Sequence, residues 1–169
     1  MFINLNNNHH MLVTAGYASL AGLMGLGLVL NVARYRSKLM VSLGDGTYEQ
    51  TLELLQKYTD KGPTVLDDKS LSTPFNSKYF KLTQAVRAHA NFIETAPWVF
   101  LLVGLAEYNG LDSFYVHTSL SLFLVMRAAH VSDMICTKKA YGPARAFSTL
   151  GTMVLILGVS TWNILKVWF

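Results

Sequence analysis

The chain contains four long apolar segments, separated by polar connections of unequal length. Each segment is near or above the roughly 20 residues that a helix needs to cross a bilayer core. We therefore predict an all-α integral membrane protein, a four-helix bundle with spans at about 12–33, 78–108, 113–135 and 144–167.

The first apolar segment differs from a signal peptide in its length and in the position of its charges. No basic residue precedes it, and Arg34, Arg36 and Lys38 follow it. A signal peptide has its positive charges before a shorter apolar run, so we interpret this segment as a retained span. Residues 1–11 are then a polar tail, and residues 12–169 form a single four-span domain.

Composition agrees with a membrane protein. Hydrophobic residues make up 51% of the chain and charged residues 14%, and the mean hydropathy is +0.31. A single cysteine, Cys136, excludes an intrachain disulfide framework and a multi-cysteine metal site. The net charge of +4 follows from basic residues at the ends of the spans and does not require a nucleic acid partner.

Lysine and arginine are distributed unequally between the loops. The first and third connections carry many of them, whereas residues 107–112 and the N-terminal tail carry none. Because cytoplasmic loops are enriched in these residues, we predict that loops one and three face the cytosol and that both termini face the opposite side.

The first loop has an organisation of its own. Gly44-Asp45-Gly46 is a turn signal, after which Tyr48, Leu52 and Leu55 recur at helical spacing. We predict a short amphipathic helix followed by a polar linker, within a cytosolic insert at about residues 44–77. An ordinary solvated insert is favoured over a regulatory element.

A polar stripe opens the second apolar segment. Arg87, Asn91 and Glu94 stand at i, i+4 and i+7, so a helix places them on one face. A charged side chain inside a bilayer costs about 2.5–3.5 kcal/mol even on the lenient insertion scale, so such residues usually face a protein interior and serve a function. The stripe is therefore a candidate site.

Polar residues of the other segments are predicted to lie at the same depth. Arg127 and His130 share a face near the cytosolic end of the third span, and Arg145 follows Gly142-Pro143 at the start of the fourth. Arg34 ends the first span. Simpler interpretations exist: an ion pair of Glu94 with Arg87 or Arg127, packing by His130, or membrane anchoring by Arg145.

These residues also resemble a known family. The stretch from Arg87 to Glu94 (Arg-Ala-His-Ala-Asn-Phe-Ile-Glu), followed by Pro97, is similar to the signature of the MAPEG family, membrane-associated proteins in eicosanoid and glutathione metabolism. Further likeness lies in Arg34-Tyr-Arg36, Arg127-Ala-Ala-His130 and Pro143-Ala-Arg145. The Gly44-Asp45-Gly46 turn is closest to the bacterial-type branch, which usually has a much shorter first loop.

The resemblance implies a homotrimer that binds glutathione between subunits and needs no metal. It implies a membrane-bound glutathione transferase or peroxidase acting on lipophilic electrophiles or lipid peroxides from the bilayer, in the endoplasmic reticulum or the outer mitochondrial membrane. The residues it assigns to glutathione binding are Arg34, Arg87, Asn91, Glu94 and His130, and those it assigns to catalysis are Arg145 and Arg127.

Two positions depart from the family pattern. Met134 stands where several members have a tyrosine, and Gln84 stands where an arginine is found. The departures concern formation of the glutathione thiolate. Two other classes of function therefore stay open: a non-catalytic scaffold that binds lipid or glutathione, and a structural subunit of a membrane complex.

Overall fold

The computed structural model describes residues 11–61, 74–140 and 142–168, and in these ranges the chain is helical without strands. The all-α class is confirmed. The N-terminal tail and most of the predicted polar linker lie outside the described residues. The elements are α1 (Leu12–Leu39), α2 (Thr47–Lys61), a 3₁₀ turn (Pro74–Asn76), α3 (Phe80–Tyr108), α4 (Ser113–Cys136) and α5 (Pro143–Trp168).

Three of these helices, α1, α4 and α5, are long and apolar enough to cross a membrane. Many of their large apolar side chains point away from the protein; Leu23 and Leu157 are examples. In a bilayer such surfaces contact lipid rather than water. The chain is thus an integral membrane protein, while the four-span count stays a prediction because α3 is not among the three.

Helix α3 lies at the centre and packs against α1, α4 and α5. Its buried positions run along its length, from Leu82 and Ala85 through Phe92 to Val103. One face of α3 stays exposed in the single chain. It carries Arg87 and Glu94 in the first half of the helix and apolar residues such as Trp98 and Leu101 in the second half.

At one end of the bundle, Glu107 of α3 caps the first turn of α1. The backbone amides of Val13 and Thr14 donate to Glu107 Oε1 at 3.0 Å and to Oε2 at 2.9 Å. The first N–H groups of a helix have no partner within the helix, and a carboxylate there also interacts favourably with the helix dipole. Glu107 therefore ties the start of α1 to the end of α3.

We expect Glu107→Ala to lower the thermal midpoint of the detergent-solubilised protein, because two amides lose their acceptor. Loss of such a cap typically costs about 1 kcal/mol. Circular dichroism during heating measures the shift, with Asp60→Ala, an exposed residue of α2, as control. Equal midpoints for Glu107→Ala and wild type would contradict the capping role.

The opposite end of the bundle positions α2. The chain turns back through Gly44 and Gly46, both at positive φ, and Arg36 Nη2 donates to the Gly44 carbonyl at 2.9 Å. Helix α2 then follows, as predicted from Tyr48, Leu52 and Leu55. The turn lies beside the start of α3, because Thr83 Oγ1 donates to the Asp45 carbonyl at 2.7 Å.

Candidate functional site

A cavity of about 440 Å³ lies between α3, α4 and α5, near the end of the bundle that carries α2. Its walls include five residues that the sequence predicted for a site: Arg87, Asn91, Glu94, His130 and Arg145. Two other predicted residues, Arg127 and Arg34, do not line it. The structure thus brings together the stripe of α3 with residues of two other helices.

Arg127 lies beneath the cavity and is 1% exposed. Its Nη1 donates to Asn91 Oδ1 at 2.9 Å, and its Nη2 lies 2.8 Å from both Ser148 Oγ and Thr152 Oγ1. Burying a guanidinium is costly unless its donors are paired, and here both terminal nitrogens are paired while Nε has no partner among the described residues. Arg127 therefore joins α3, α4 and α5, and its contacts are those of a residue that positions the cavity wall.

The hydrogen bond from Arg127 also determines the orientation of Asn91. A guanidinium only donates, so the side-chain oxygen of Asn91 must face Arg127. The amide nitrogen then remains as the group that Asn91 can offer to the cavity. A carboxylate or carbonyl of a bound molecule would accept a hydrogen bond from it.

Arg87 lies on the cavity wall with much of its side chain in solvent. Its Nη2 is 3.4 Å from Asp45 Oδ2 in the turn before α2. Hydrogen bonding by Thr47 and the nearby charge of Arg87 hold the pKa of Asp45 below its usual value. The pair is long and exposed, so it leaves Arg87 able to bind an anion.

Glu94 is exposed and has no hydrogen bond or ion pair with any residue in the described ranges. The structural ion pair with Arg87 or Arg127, one of the simpler interpretations of the sequence, is therefore absent there. Arg87 contacts Asp45 instead, and Arg127 contacts neutral side chains. Glu94 presents a carboxylate to the cavity.

Arg145 reaches the cavity from the first turn of α5. Its backbone amide donates to Asp133 Oδ2 at 3.1 Å, and its Nη1 donates to the Ala140 carbonyl at 2.7 Å. A Cβ on Gly142 would clash with the Asp133 carboxylate, so a larger residue there would displace the side chain that accepts from the Arg145 amide. These contacts hold the start of α5, and with it the guanidinium, beside the cavity.

The two departures from the family pattern also lie on the cavity wall. Gln84 Nε2 donates to the Thr137 carbonyl at 2.8 Å, and Met134 presents a thioether where a hydroxyl would donate a hydrogen bond. His130 is buried, and its Nδ1 has no partner among the described residues. Arg145 is accordingly the cationic group on the α4–α5 side of this cavity.

Arg34 is exposed on α1 and does not line the cavity between α3, α4 and α5. Its predicted role in glutathione binding involves a neighbouring subunit, which a single chain does not contain. That role stays a prediction. Its neighbour Arg36 is used differently, since it donates to the loop that follows α1.

Several residues that organise the site were missed from the sequence. Ser148 and Thr152 hold Arg127, and Asp133 holds the start of α5. The only available signal was the i, i+4 spacing of Ser148 and Thr152 on an apolar helix, which places both hydroxyls on one face. Within the described ranges, no group of histidine, cysteine, aspartate and glutamate side chains could hold a metal ion.

A second cavity of about 550 Å³ adjoins the first and runs along the first half of α5. Arg145 and Thr149 belong to the walls of both cavities. The other residues of the second wall are mostly apolar and include Pro143, Leu150 and Met153. A polar cavity and an apolar one therefore meet at Arg145.

Comparison with protein-family models matches residues 14–165 to the MAPEG family, which is nearly the whole chain. Comparisons with curated proteins and with solved structures give no match. The matched range contains all four long helices except their outermost residues, as well as every residue of the cavity. With its polar stripe, its apolar helices and this match, the chain belongs to the MAPEG family.

Proposed function

We propose that the protein is a membrane-bound glutathione transferase or peroxidase that uses the cavity of Arg87, Asn91, Glu94 and Arg145. The observation that supports this most is the pattern of charges around one cavity: two guanidiniums and one carboxylate. Glutathione has two carboxylates, one ammonium group and a thiol, so its charges are largely complementary to that pattern.

Each of these residues can be assigned a contact with one group of glutathione. Glu94, which has no partner among the described residues, would accept hydrogen bonds from the ammonium group, while the exposed Arg87 on the cavity wall would bind a carboxylate. The amide nitrogen of Asn91 would donate to a second oxygen of the tripeptide. Arg145, on the other side of the cavity, would then face the sulfur.

The proposed chemistry depends on the thiolate. A thiol is mostly protonated at neutral pH and only its anion is a strong nucleophile, so a permanently charged guanidinium beside the sulfur favours the reactive form. In the transferase reaction the thiolate sulfur forms a bond to an electrophilic carbon, and the leaving group departs with the bonding electrons. In the peroxidase reaction the sulfur attacks a hydroperoxide oxygen, giving an alcohol and a sulfenic acid that a second glutathione converts to the disulfide and water.

The second cavity supports a lipophilic second substrate. It is mostly apolar and meets the first at Arg145, which is where the sulfur would lie. A molecule from the bilayer could place its apolar part against Leu150 and Met153 and its reactive atom beside Arg145. Both substrates would then meet at the same guanidinium.

We expect Glu94→Gln and Arg87→Ala each to weaken glutathione binding, because each leaves a charged group of the ligand unpaired. Loss of a charge-assisted hydrogen bond costs about 1.5–3 kcal/mol, or roughly 10- to 150-fold in affinity. Calorimetric titration of the purified protein with glutathione measures the change. Arg87→Lys, which keeps the charge, should lose less than Arg87→Ala.

Glu107→Gln is the matched control for Glu94→Gln, because it makes the same chemical change at the far end of α3. It should leave the affinity for glutathione unchanged. Equal affinities for wild type, Glu94→Gln and Arg87→Ala would contradict the proposed binding mode. Turnover of an aryl halide and of a lipid hydroperoxide by wild type then tests the reaction itself.

We also expect the protein to assemble as a homotrimer. The cavity of one chain supplies cations for one carboxylate and for the sulfur, and Arg34, exposed on α1, is free to reach the remaining carboxylate from a neighbouring subunit. Native mass spectrometry in detergent measures the number of subunits. A monomer that binds glutathione with full affinity would contradict a site shared between subunits.

Met134 and Gln84 favour a second candidate, a non-catalytic member that binds glutathione or lipid. Neither side chain adds a cationic donor beside the sulfur, so thiolate formation depends on Arg145. Glutathione binding with no thiolate absorbance at any accessible pH, and with no turnover, would identify this alternative. We predict the same cytosolic orientation of loops one and three for either candidate.

A further inference from the structure

Helix α2 has the opposite orientation from an amphipathic helix packed on a soluble protein, because its polar face is turned toward the rest of the chain. Gln50 Nε2 donates to Thr83 Oγ1 at 2.5 Å, and Ser77 Oγ donates to Glu53 Oε2 at 2.7 Å. Lys57 Nζ also donates to Glu53, at 2.8 Å. In a soluble protein the apolar face would be the one that packs inward.

The apolar face of α2 points outward. Tyr48, Leu52 and Leu55 stand at i, i+4 and i+7, on the side opposite Gln50 and Glu53. These three side chains are 70%, 39% and 55% exposed. A stripe of this kind on a helix held by hydrogen bonds on its other side indicates an apolar partner outside the chain.

The position of α2 in the chain indicates what that partner is. Helix α1 is apolar enough to cross a membrane and ends at Leu39, and α2 begins at Thr47 after a connection that folds back through Gly44 and Gly46. Arg36, in the last turn of α1, holds that connection at the Gly44 carbonyl. Helix α2 therefore starts at the level where α1 leaves the bilayer.

The basic residues at this end of the bundle support a position of α2 beside anionic lipid headgroups. Lys81 Nζ donates to the Ile135 carbonyl at 3.0 Å, which joins the start of α3 to the end of α4, and Thr83 joins the start of α3 to the turn that follows α1. Clusters of basic residues beside a span attract anionic headgroups. The basic residues at these helix ends are Arg34, Arg36, Lys38, Lys78, Lys81, Lys138 and Lys139.

We propose that α2 lies on the surface of the bilayer, with Tyr48, Leu52 and Leu55 inserted at the boundary between anionic headgroups and acyl chains. Amphipathic helices bind membranes in this way, and tyrosine is enriched at that depth. The proposal is independent of the proposed enzymatic activity. It gives the insert a membrane-binding role beside the cavity, because Thr83, which accepts from Gln50 of α2, also lines the cavity wall.

Site-specific fluorescence in vesicles tests the proposal. The full chain carries Cys136→Ser, which removes its exposed free cysteine, and one new cysteine: Leu52→Cys, Leu55→Cys or, as matched control, Asp60→Cys at an exposed polar position of the same helix. Each is labelled with an environment-sensitive dye and reconstituted in phosphatidylcholine–phosphatidylserine vesicles. Lipids with a nitroxide near the headgroup then quench dyes at the boundary.

We expect dyes at positions 52 and 55 to emit at shorter wavelength and to be quenched several-fold more strongly than the dye at position 60. Water-like emission and equal quenching at the three positions would overturn the proposal. Short-wavelength emission without quenching by the nitroxide lipid would also overturn it, because a second copy of the chain would then cover the face. A variant that fails to reconstitute is replaced by Tyr48→Cys, on the same face.

Discussion

Replacing Arg145 with alanine is expected to lower the thiolate fraction of bound glutathione and to reduce kcat strongly. The guanidinium lies on the wall shared by the polar and apolar cavities, and among the described lining residues it is the permanent cation on the α4–α5 side of the polar cavity. Removal of one preorganised donor to a reacting anion typically costs about 10²- to 10³-fold in kcat. Affinity for glutathione should change much less.

Ultraviolet absorbance of the thiolate, measured with glutathione bound at neutral pH, reports the charge state directly. Arg145→Lys is the matched variant, because it keeps a cation at the same place and should retain part of the signal. Full thiolate absorbance together with full turnover in Arg145→Ala would show that another group stabilises the sulfur. A loss of affinity as large as the loss of turnover would instead assign Arg145 to binding.

Replacing Arg127 with alanine is expected to give the largest loss of stability of any substitution at the site. The change leaves Asn91 Oδ1, Ser148 Oγ and Thr152 Oγ1 without their shared donor inside the bundle. A buried polar group left without its partner typically costs about 1–3 kcal/mol, and this change leaves three of them. The thermal midpoint in detergent measures this effect.

The same substitution should also weaken glutathione binding, because Asn91 is then no longer held with its amide nitrogen toward the cavity. Asp60→Ala serves as control for stability, since that side chain is exposed on α2 and its loss should shift the midpoint little. Arg127→Lys keeps the charge but cannot reach acceptors on two helices at once, so it should lie between alanine and wild type. A midpoint of Arg127→Ala within error of wild type would refute the role of Arg127 as the link between the helices.

The amino-acid sequence determined the helices and most of the candidate site. The long apolar segments predicted helices whose ends agree closely with those of α3, α4 and α5, because transfer of backbone into lipid requires continuous internal hydrogen bonding. The spacing of Arg87, Asn91 and Glu94 placed them on one face, since helical periodicity is a local property. The family signature rests on these same residues and is confirmed by the match over nearly the whole chain.

The tertiary structure decided what each polar residue contacts, and these contacts join residues that are far apart in the chain. The family resemblance assigned Arg127 and Arg145 to the same role in catalysis. In the structure, Arg127 is buried against Ser148 and Thr152, while Arg145 faces the cavity. Glu107 caps a helix that begins more than ninety positions earlier. The outward apolar face of α2 is likewise visible only once the partners of Gln50 and Glu53 are known. Periodicity defines the faces of a single helix, but only the packing of helices against one another decides which face is buried and which partners it meets.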